Sequence, residues 1–432
     1  MTAWHAPALA LTARLSTGQT VTVNSTAQLQ TTTRALIASG LTDDARRLAR
    51  AYSPGDADYA FRVAYVDAQA ASAEGRDADA VRIYRAILAQ RPDLDLVRIA
   101  MTGALARLNM HDTARAQAER LIAAGVDDQL GGQISGLLRS LDQKRPLSFR
   151  GYVSFLPSSN INGGTDRTTV SIGPVIGAIP ANQQRQSGIG LALGGQLAYR
   201  AEVGTQSALI TALDAKVEHF PSIKRTNLSG QLSFGLEHRL NRGTALTRAL
   251  LGGATVDGNR TYSYSGLSFE TNTRLGDRWR LYLGPEYRYE RYDLVPGDNG
   301  HFLTLPVQLD RFGGPDTFVR FIAGASFGRK AQARFSFDEA KLGLGYYKEF
   351  SAGFTTYIEA TAAVRTYKDL YPGLTVPRKD RRFDIGLTVT KRDLVVAGFA
   401  PQVSVSYQRN QSNAAFNDTS RGLVDVRLTR EF

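Results

Sequence analysis

The sequence predicts an α+β multidomain protein, with N-terminal helical tetratricopeptide-like repeats followed by a C-terminal transmembrane antiparallel β-barrel of about 14 strands. Three observations lead to this prediction. After residue 147 apolar and polar residues alternate, the alternating runs are roughly a dozen residues long, and the connections between the runs alternate in length. Soluble proteins use strands of about 5–6 residues, whereas strands that cross a membrane at a tilt need about 9–11 residues.

The run 277–292 shows the alternation most clearly. Successive side chains of a strand point to opposite faces, so this run has one apolar face and one charged face. Carboxylates that alternate with arginine on one strand face are more typical of ion pairs in a barrel lumen than of a catalytic general acid and general base. The charged residues predicted to face the lumen are Glu286, Arg288, Glu290, Glu359 and Arg365, and the residues predicted to face lipid are Leu281, Leu283, Val319, Phe321, Leu387 and Val389.

Fourteen such runs make up the predicted barrel domain, residues 147–432. An even number is expected when both ends of a closed antiparallel barrel lie on one side. Connections after every second run are short, as at Gly204, and the others are mostly longer and polar, as at 157–186 and 368–379. Since outer-membrane barrels have short periplasmic turns and long surface loops, we expect both ends of the barrel in the periplasm. The connection 221–224 is too short for its side, which leaves the strand number open by one hairpin.

Residues 35–146 are predicted to form the helical domain, because they contain a repeat. Similar Gly- or Asn-initiated segments place Ala45, Ala80 and Ala114 at intervals of 35 and 34 residues, the period of a tetratricopeptide repeat. A generic helical bundle remains the alternative. Stacked repeats present concave binding surfaces, so the functional interpretation of this domain is a module that docks protein partners. The residues proposed to line a client groove are Tyr59, Arg62, Tyr65 and Tyr84, with packing between helices as the alternative for each.

Residues 1–34 are predicted to be a leader or a disordered segment, with a signal remnant as one interpretation. A barrel protein of the outer membrane needs a signal peptide with a basic start and an apolar core. The stretch from Met1 to Ala13 is only faintly similar to one, because no lysine or arginine precedes Arg14.

Composition argues against several classes of function. The net charge is +12, but the arginines are dispersed over many strands instead of forming one patch, so nucleic-acid binding is not expected. The chain has no cysteine and five scattered histidines without metal-ligand spacing, and it lacks a GxSxG motif and a phosphate-binding glycine loop. We therefore predict no enzymatic activity, no metal and no cofactor.

The most specific short motif lies where the two predicted domains meet. After the first barrel strand the chain reads Pro157-Ser-Ser-Asn-Ile-Asn162, a turn rich in serine and asparagine. This motif, a preceding tetratricopeptide domain, about fourteen strands and a final phenylalanine together resemble the surface lipoprotein assembly modulator family. The chain departs from that family in having about three repeats and in carrying Arg430 in its last strand. The residues that match the family motif are Pro157, Ser159, Asn160 and Asn162.

The resemblance implies an outer-membrane barrel with its helical domain in the periplasm. It implies a translocator that exports specific surface lipoproteins or secreted proteins, the helical domain docking the client and the barrel providing the passage. An exopolysaccharide export porin and a plain diffusion porin are the alternatives. The expected partners are a lipoprotein or secreted protein client, outer-membrane lipid and the barrel-assembly machinery, to which Phe432 presents the last strand.

Overall fold

The computed structural model describes residues 10–53, 58–108, 146–172, 175–371, 373–395 and 399–429, together with isolated residues between 110 and 136. Phe432, the predicted assembly signal, and Arg430 lie outside the described residues. We call the described residues up to 136 the helical domain and those from 146 onward the barrel domain.

The helical domain begins with a hairpin and continues as antiparallel helices. Within the residues that the structure describes, none of the helices is both long enough and apolar enough to cross a membrane. The elements are β1 (Leu11–Arg14), β2 (Thr20–Val23), α1 (Thr26–Ala38), α2 (Thr42–Ala51), α3 (Tyr59–Ala73), α4 (Asp77–Gln90) and α5 (Asp95–Arg107).

The repeat found in the sequence corresponds to a repeated packing position. Ala45, Ala80 and Ala114 are all 0% exposed, because the small side chain lets neighbouring helices approach closely. Gly40 and Gly75, which begin two of the repeats, both have a φ of 78°. This left-handed conformation is easily adopted by glycine and lets the chain reverse after α1 and α3. The arrangement is compatible with tetratricopeptide repeats.

The hairpin of β1 and β2 lies in the segment that the sequence predicted to be a leader or disordered. Its strands pair from Leu11 with Val23 to Arg14 with Thr20. Val23 is fully buried in a cluster with Leu29 and Leu48. The four-residue strands are too short for an alternation pattern to reveal them, and burial against α1 and α2 stabilises them.

The barrel domain is a closed antiparallel sheet of fourteen strands, as the sequence predicted, and β19 pairs with β3 to close it. A short hairpin, β4 (Thr169–Ile172) with β5 (Val175–Ala178), lies in the loop after β3. The barrel strands are β3 (Leu147–Ser158), β6 (Gly188–Val203), β7 (Ser207–Phe220), β8 (Arg225–Leu240), β9 (Gly243–Val256), β10 (Asn259–Leu275), β11 (Trp279–Leu283) with β12 (Glu286–Tyr292), β13 (Gly300–Gly314), β14 (Thr317–Lys330), β15 (Phe337–Glu349), β16 (Phe354–Tyr367), β17 (Lys379–Lys391), β18 (Ala400–Ser412) and β19 (Thr419–Thr429).

The seventh strand differs from its prediction in one respect. It is interrupted at Gly284-Pro285, and its two halves, β11 and β12, both pair with β10 on one side and β13 on the other. Proline has no N–H to donate to a neighbouring strand, so the ladder breaks there. The carbonyl of Pro285 still accepts a hydrogen bond of 2.9 Å from Phe269 N.

Alternating side chains give the barrel an apolar exterior and a polar interior. On the outside, Phe321 on β14, Leu344 on β15 and Leu387 on β17 are exposed. On the inside, Arg320 donates two hydrogen bonds of 2.8 Å to Asp310. Because a closed barrel satisfies its backbone hydrogen bonds within the sheet, this arrangement suits a lipid bilayer. The protein is an outer-membrane barrel with its helical domain in the periplasm.

Candidate functional site

The helical domain lies against the end of the barrel where the short turns are. Helices α4 and α5 approach the turn 351–353 between β15 and β16, and Asp393 from the turn after β17 lies beside them. Short turns mark the periplasmic end of an outer-membrane barrel. The helical domain therefore covers part of the periplasmic mouth.

A buried ion network joins the two domains. Arg98 on α5 donates a 2.8 Å hydrogen bond to Glu349 at the end of β15, and the two residues are 1% and 0% exposed. Arg392 donates to the same carboxylate at 2.8 Å, and the Tyr347 hydroxyl donates to its other oxygen at 2.8 Å. Arg98 also donates to Gln117 Oε1 and to the carbonyl of Pro92.

This network places three charged groups at the contact between the domains. Burying one carboxylate between two guanidinium groups desolvates three charges, which is stabilising only when each is hydrogen-bonded. The carboxylate of Glu349 has a partner on each oxygen, and the two terminal nitrogens of Arg98 also donate to Gln117 and Pro92 of the helical domain, whereas its buried Nε has no hydrogen-bond partner. Removing Glu349 would leave two buried guanidinium groups without a counter-charge, so the contact depends on this carboxylate.

The motif turn after β3 folds the following loop, residues 159–187, which we call the signature loop. The Asn160 side chain donates to the carbonyls of Gly164 and Ser420 at 2.8 and 2.9 Å and accepts from Gly164 N at 2.9 Å. The Asn162 side chain donates to Gln184 O at 2.7 Å and accepts from Gln186 N at 3.0 Å. The two asparagines thus tie both ends of the loop together and anchor it to β19.

Pro157 lies within β3 and does not end it. The sequence predicted a break at this proline, but the strand runs on to Ser158 and pairs with β6 throughout. An N–H at position 157 would point to β19, as that of Ser159 does, so the missing N–H of Pro157 leaves the pairing with β6 unaffected. Ser159 follows and contacts β19 twice, since its N–H donates to Gly422 O at 2.8 Å and its hydroxyl accepts from Gly422 N at 2.8 Å.

The described residues of the barrel line cavities on its inner side. A cavity of about 330 Å³ lies between the signature loop and the inner faces of β15–β19. A larger cavity of about 790 Å³ runs along β6–β10 and reaches the junction of β3 and β19. The smaller one is rich in positive charge, with two acids, Glu339 and Asp380, and these arginines in its lining: Arg365, Arg378, Arg382, Arg409 and Arg421.

Four of the five charged residues predicted to face the lumen form local ion pairs, and the fifth, Glu359, accepts a hydrogen bond. Arg288 lies 2.6 Å from Glu286, and Lys330 lies 2.6 Å from Glu290. Arg365 donates to Glu339 at 2.9 Å. The Tyr357 hydroxyl donates to Glu359. The residues belong to separate contacts along β12, β14, β15 and β16 and do not converge on one site.

The four residues proposed for a client groove do not form an open groove in this conformation. Tyr84 and Arg62 are 2% and 4% exposed inside the helical domain. Tyr65 lies 6.1 Å from Tyr84, centroid to centroid, and burial raises its pKa. Tyr59 is half-buried and donates from its hydroxyl to Arg50 O at 2.7 Å. Packing between helices accounts for Tyr84 and Arg62, and neither side chain is available to a client.

The sequence pattern did not predict a role for Arg98, Glu349 or Arg392. Glu349 and Arg392 lie at strand ends, where the alternation pattern carries little information, and Arg98 is one of many arginines on amphipathic helices. Only the docking of the two domains distinguishes them. A weak signal was available, because Glu349 directly precedes a short turn at the periplasmic end, where no lumen ion pair was expected.

Comparisons with known proteins are consistent with this architecture. The family model described as "Surface lipoprotein assembly modifier" matches residues 148–432. A surface lipoprotein assembly modifier of Pasteurella multocida is 22% identical over 399 residues, which cover 86% of this chain and 77% of the relative. A surface lipoprotein assembly modifier 1 of Haemophilus influenzae is 23% identical over 394 residues, covering 88% and 80%.

Solved structures give a weaker likeness. A loop-deletion mutant of OmpT, an outer membrane protein of Vibrio cholerae, aligns with a TM-score of 0.35 and 8% identity over 65% of this chain and 98% of that chain. A bacterial polysaccharide outer membrane secretin aligns with a TM-score of 0.34 and 7% identity over 66% and 98%. The family match alone covers more than half of the sequence. The chain therefore belongs to the surface lipoprotein assembly modifier family.

Proposed function

We propose that this protein is an outer-membrane translocator that exports specific lipoproteins or secreted proteins, with the helical domain docking the client and the barrel providing the passage. The observation that carries the proposal is the buried contact of Arg98 with Glu349. A diffusion porin does not need a helical domain. It also does not need a buried ion network that attaches such a domain to the periplasmic end of the barrel. A module held there is placed to receive a client from the periplasm.

The relatives support the choice of client class. They are named as modifiers of surface lipoprotein assembly, and the present chain shares the family model over its whole barrel. The helical domain offers repeat packing of the kind that builds protein-binding surfaces. The acids and bases of α2–α4 largely pair with one another, so the surface has no strong single-sign charge that would favour nucleic acid or membrane.

One observation favours a polysaccharide exporter as the second candidate. Tyr262 stacks with Tyr264 at 6.1 Å and with Tyr292 at 5.5 Å, and the first two line the larger lumen cavity. Rows of aromatic rings are typical of sugar-binding channels. The row is short, however, and the buried contact between the domains has no role in a simple sugar conduit.

The test is to delete residues 35–140 and to follow the product of a neighbouring lipoprotein gene at the cell surface. Heat-modifiable gel mobility monitors whether the truncated barrel is inserted. We expect an inserted barrel and loss of surface display. Normal display with an inserted truncated barrel would remove the docking role, and loss of surface polysaccharide with unchanged lipoprotein would favour the second candidate.

A further inference from the structure

The junction between β3 and β19 has less backbone pairing than its neighbours. Within the described residues of these two strands, three residue pairs form the ladder: Leu423 with Ser158, Val426 with Phe155, and Arg427 with Ser154. This register sets seven described positions of the two strands opposite each other, from Ser158 with Leu423 to Tyr152 with Thr429, so four of the seven are not paired, whereas all eleven facing positions of β18 and β19 are paired. The register of the three pairs places Val424 opposite Pro157 and Leu428 opposite Val153, and neither position is paired.

Pro157 explains part of this deficit. In an antiparallel strand the N–H groups of alternate residues point to opposite neighbours. Ser159 N bonds to Gly422 O on β19, whereas on the other side Pro146 O accepts from Arg200 N beside β6. Position 157 has the parity of 159, so its N–H would point to β19. Because proline has no N–H, position 157 cannot donate a backbone hydrogen bond to the carbonyl of Val424.

Side chains on the lumen face hold the junction together instead. Ser154, which is buried, donates from its hydroxyl to Asp425 across the junction. Arg427 donates to Asp425 and lies over the ring of Tyr152 at 5.0 Å. These contacts face the interior of the barrel, where water replaces them when they separate. Backbone hydrogen bonds that face lipid have no such replacement.

The outer face of the β3–β19 junction is apolar, whereas its inner face borders a polar cavity. On the outside, Val153, Phe155, Val426 and Leu428 are exposed and apolar. On the inside, the cavity of about 790 Å³ reaches Tyr152 and Arg427 and carries polar groups such as Asp214 and Lys216. Opening of the junction would join a polar cavity directly to the acyl-chain region of the bilayer.

We propose that the β3–β19 junction is a lateral exit through which the acyl chains of a lipid-anchored protein pass from the lumen into the membrane. This inference rests on the proposed function and names the chemistry of its substrate: a cysteine modified with a diacylglycerol and a fatty acid. The polypeptide of the client uses the polar lumen, while its acyl chains leave sideways and avoid exposure to water at the outer surface. The motif proline keeps the junction separable.

The experiment uses the full chain in proteoliposomes that contain a biotinylated peptide with a tripalmitoylated cysteine. Tyr152 is replaced by p-benzoylphenylalanine, which places a photo-crosslinker on the lumen side of the junction. Because the chain has no cysteine, disulfides can be introduced cleanly. The Phe155→Cys/Val426→Cys pair locks the junction, and Val403→Cys/Val426→Cys locks the fully paired neighbour as a matched control. Directly opposite residues in an antiparallel pair have the Cα spacing that a disulfide requires.

We expect the lipopeptide to crosslink at position 152, the crosslink to be lost in the oxidised junction lock, and reduction to restore it. The oxidised control lock should keep the crosslink. Equal crosslinking in both locks, or no crosslink in the unlocked protein, would overturn the lateral exit. Tyr264→p-benzoylphenylalanine, on the far wall of the same cavity, reports lipopeptide that enters the lumen by another route. A crosslink at position 264 that survives the junction lock would also count against the proposal.

Surface display of a neighbouring lipoprotein separates this inference from the proposed function. If removal of the whole chain abolishes display but the oxidised junction lock does not, the lateral exit is wrong and the translocator role stands. If display persists without the chain, the proposed function is wrong whatever the crosslinking shows. Heat-modifiable mobility of each variant confirms that the barrel is assembled before either measurement is made.

Discussion

Arg98 and Glu349 lie 251 positions apart in the sequence and form a buried ion pair of 2.8 Å across the boundary between the helical domain and the barrel. Arg392 binds the same carboxylate from the next turn of the barrel. One acid therefore fixes the helical domain to the barrel and also ties two barrel turns to each other. The position of the helical domain depends on a charge that belongs to the barrel.

Replacing Glu349 by glutamine should release the helical domain. The amide keeps the shape of the side chain but leaves Arg98 and Arg392 buried without a counter-charge, and breaking a buried pair in this way costs about 3–5 kcal/mol. Amide hydrogen exchange of the α5 segment in detergent-solubilised protein should accelerate. The matched control is Glu202→Gln, because that carboxylate also lies between two arginines at the same barrel end but does not touch the helical domain. Unchanged exchange in Glu349→Gln would show that other contacts hold the domain.

The two faces of β14 should tolerate charge very differently. Phe321 is exposed on the outer face, whereas its neighbour Ile322 points inward beside Gln308 and Gly343. Arginine at position 321 should destabilise the barrel by about 2–4 kcal/mol if it lies near the bilayer midplane, and arginine at position 322 by far less. Urea titration of the heat-modifiable band in vesicles measures both. Equal costs would mean that the register is shifted by one residue, which exchanges the faces.

The sequence predicted the parts of the fold that follow from local periodicity. Fourteen strands and their order follow from the alternating runs and the turns between them. The hairpin at Leu11–Val23 was missed because four-residue strands carry too little pattern. The pair Arg98–Glu349 was missed for a different reason: it depends on the docking of two domains, and no local pattern encodes docking. Pro157 was recognised, but its effect on the neighbouring strand required the register.

Replacing Asn160 by alanine should destabilise the folded conformation of the signature loop. Alanine at this position leaves Gly164 N, Gly164 O and the carbonyl of Ser420 without their partner in a buried environment. Leaving buried polar groups unsatisfied costs about 1–3 kcal/mol. Protease cleavage within 159–187 of the folded protein should increase. Asn182→Ala, at an exposed position of the same loop, is the control and should leave the cleavage rate unchanged.

Two carboxylates of the helical domain should give stability opposite dependences on pH. Hydrogen bonds from Arg46 and Arg76 lower the pKa of Glu74 from 4.5 to about 2. Burial raises the pKa of Asp95, and Arg98 opposes that shift only in part. The folded state thus holds the proton of Glu74 more weakly than the unfolded chain does, and holds that of Asp95 more strongly.

The signs of the two contributions follow directly. The contribution of Glu74 is fully present above pH 4.5 and is lost as the pH falls toward 2, whereas ionised Asp95 destabilises the domain at neutral pH and this penalty fades on acidification. Glu74→Gln should therefore weaken the domain at pH 7 by up to ~1 kcal/mol, as expected for a partly exposed ion pair, and have little effect near pH 2. Asp95→Asn should stabilise it at pH 7. Amide hydrogen exchange of α2–α5, measured across this pH range and corrected for the intrinsic rate, distinguishes the two variants. If Asp95→Asn destabilises the domain at pH 7, the attraction of Asp95 to Arg98 outweighs the cost of burying its charge.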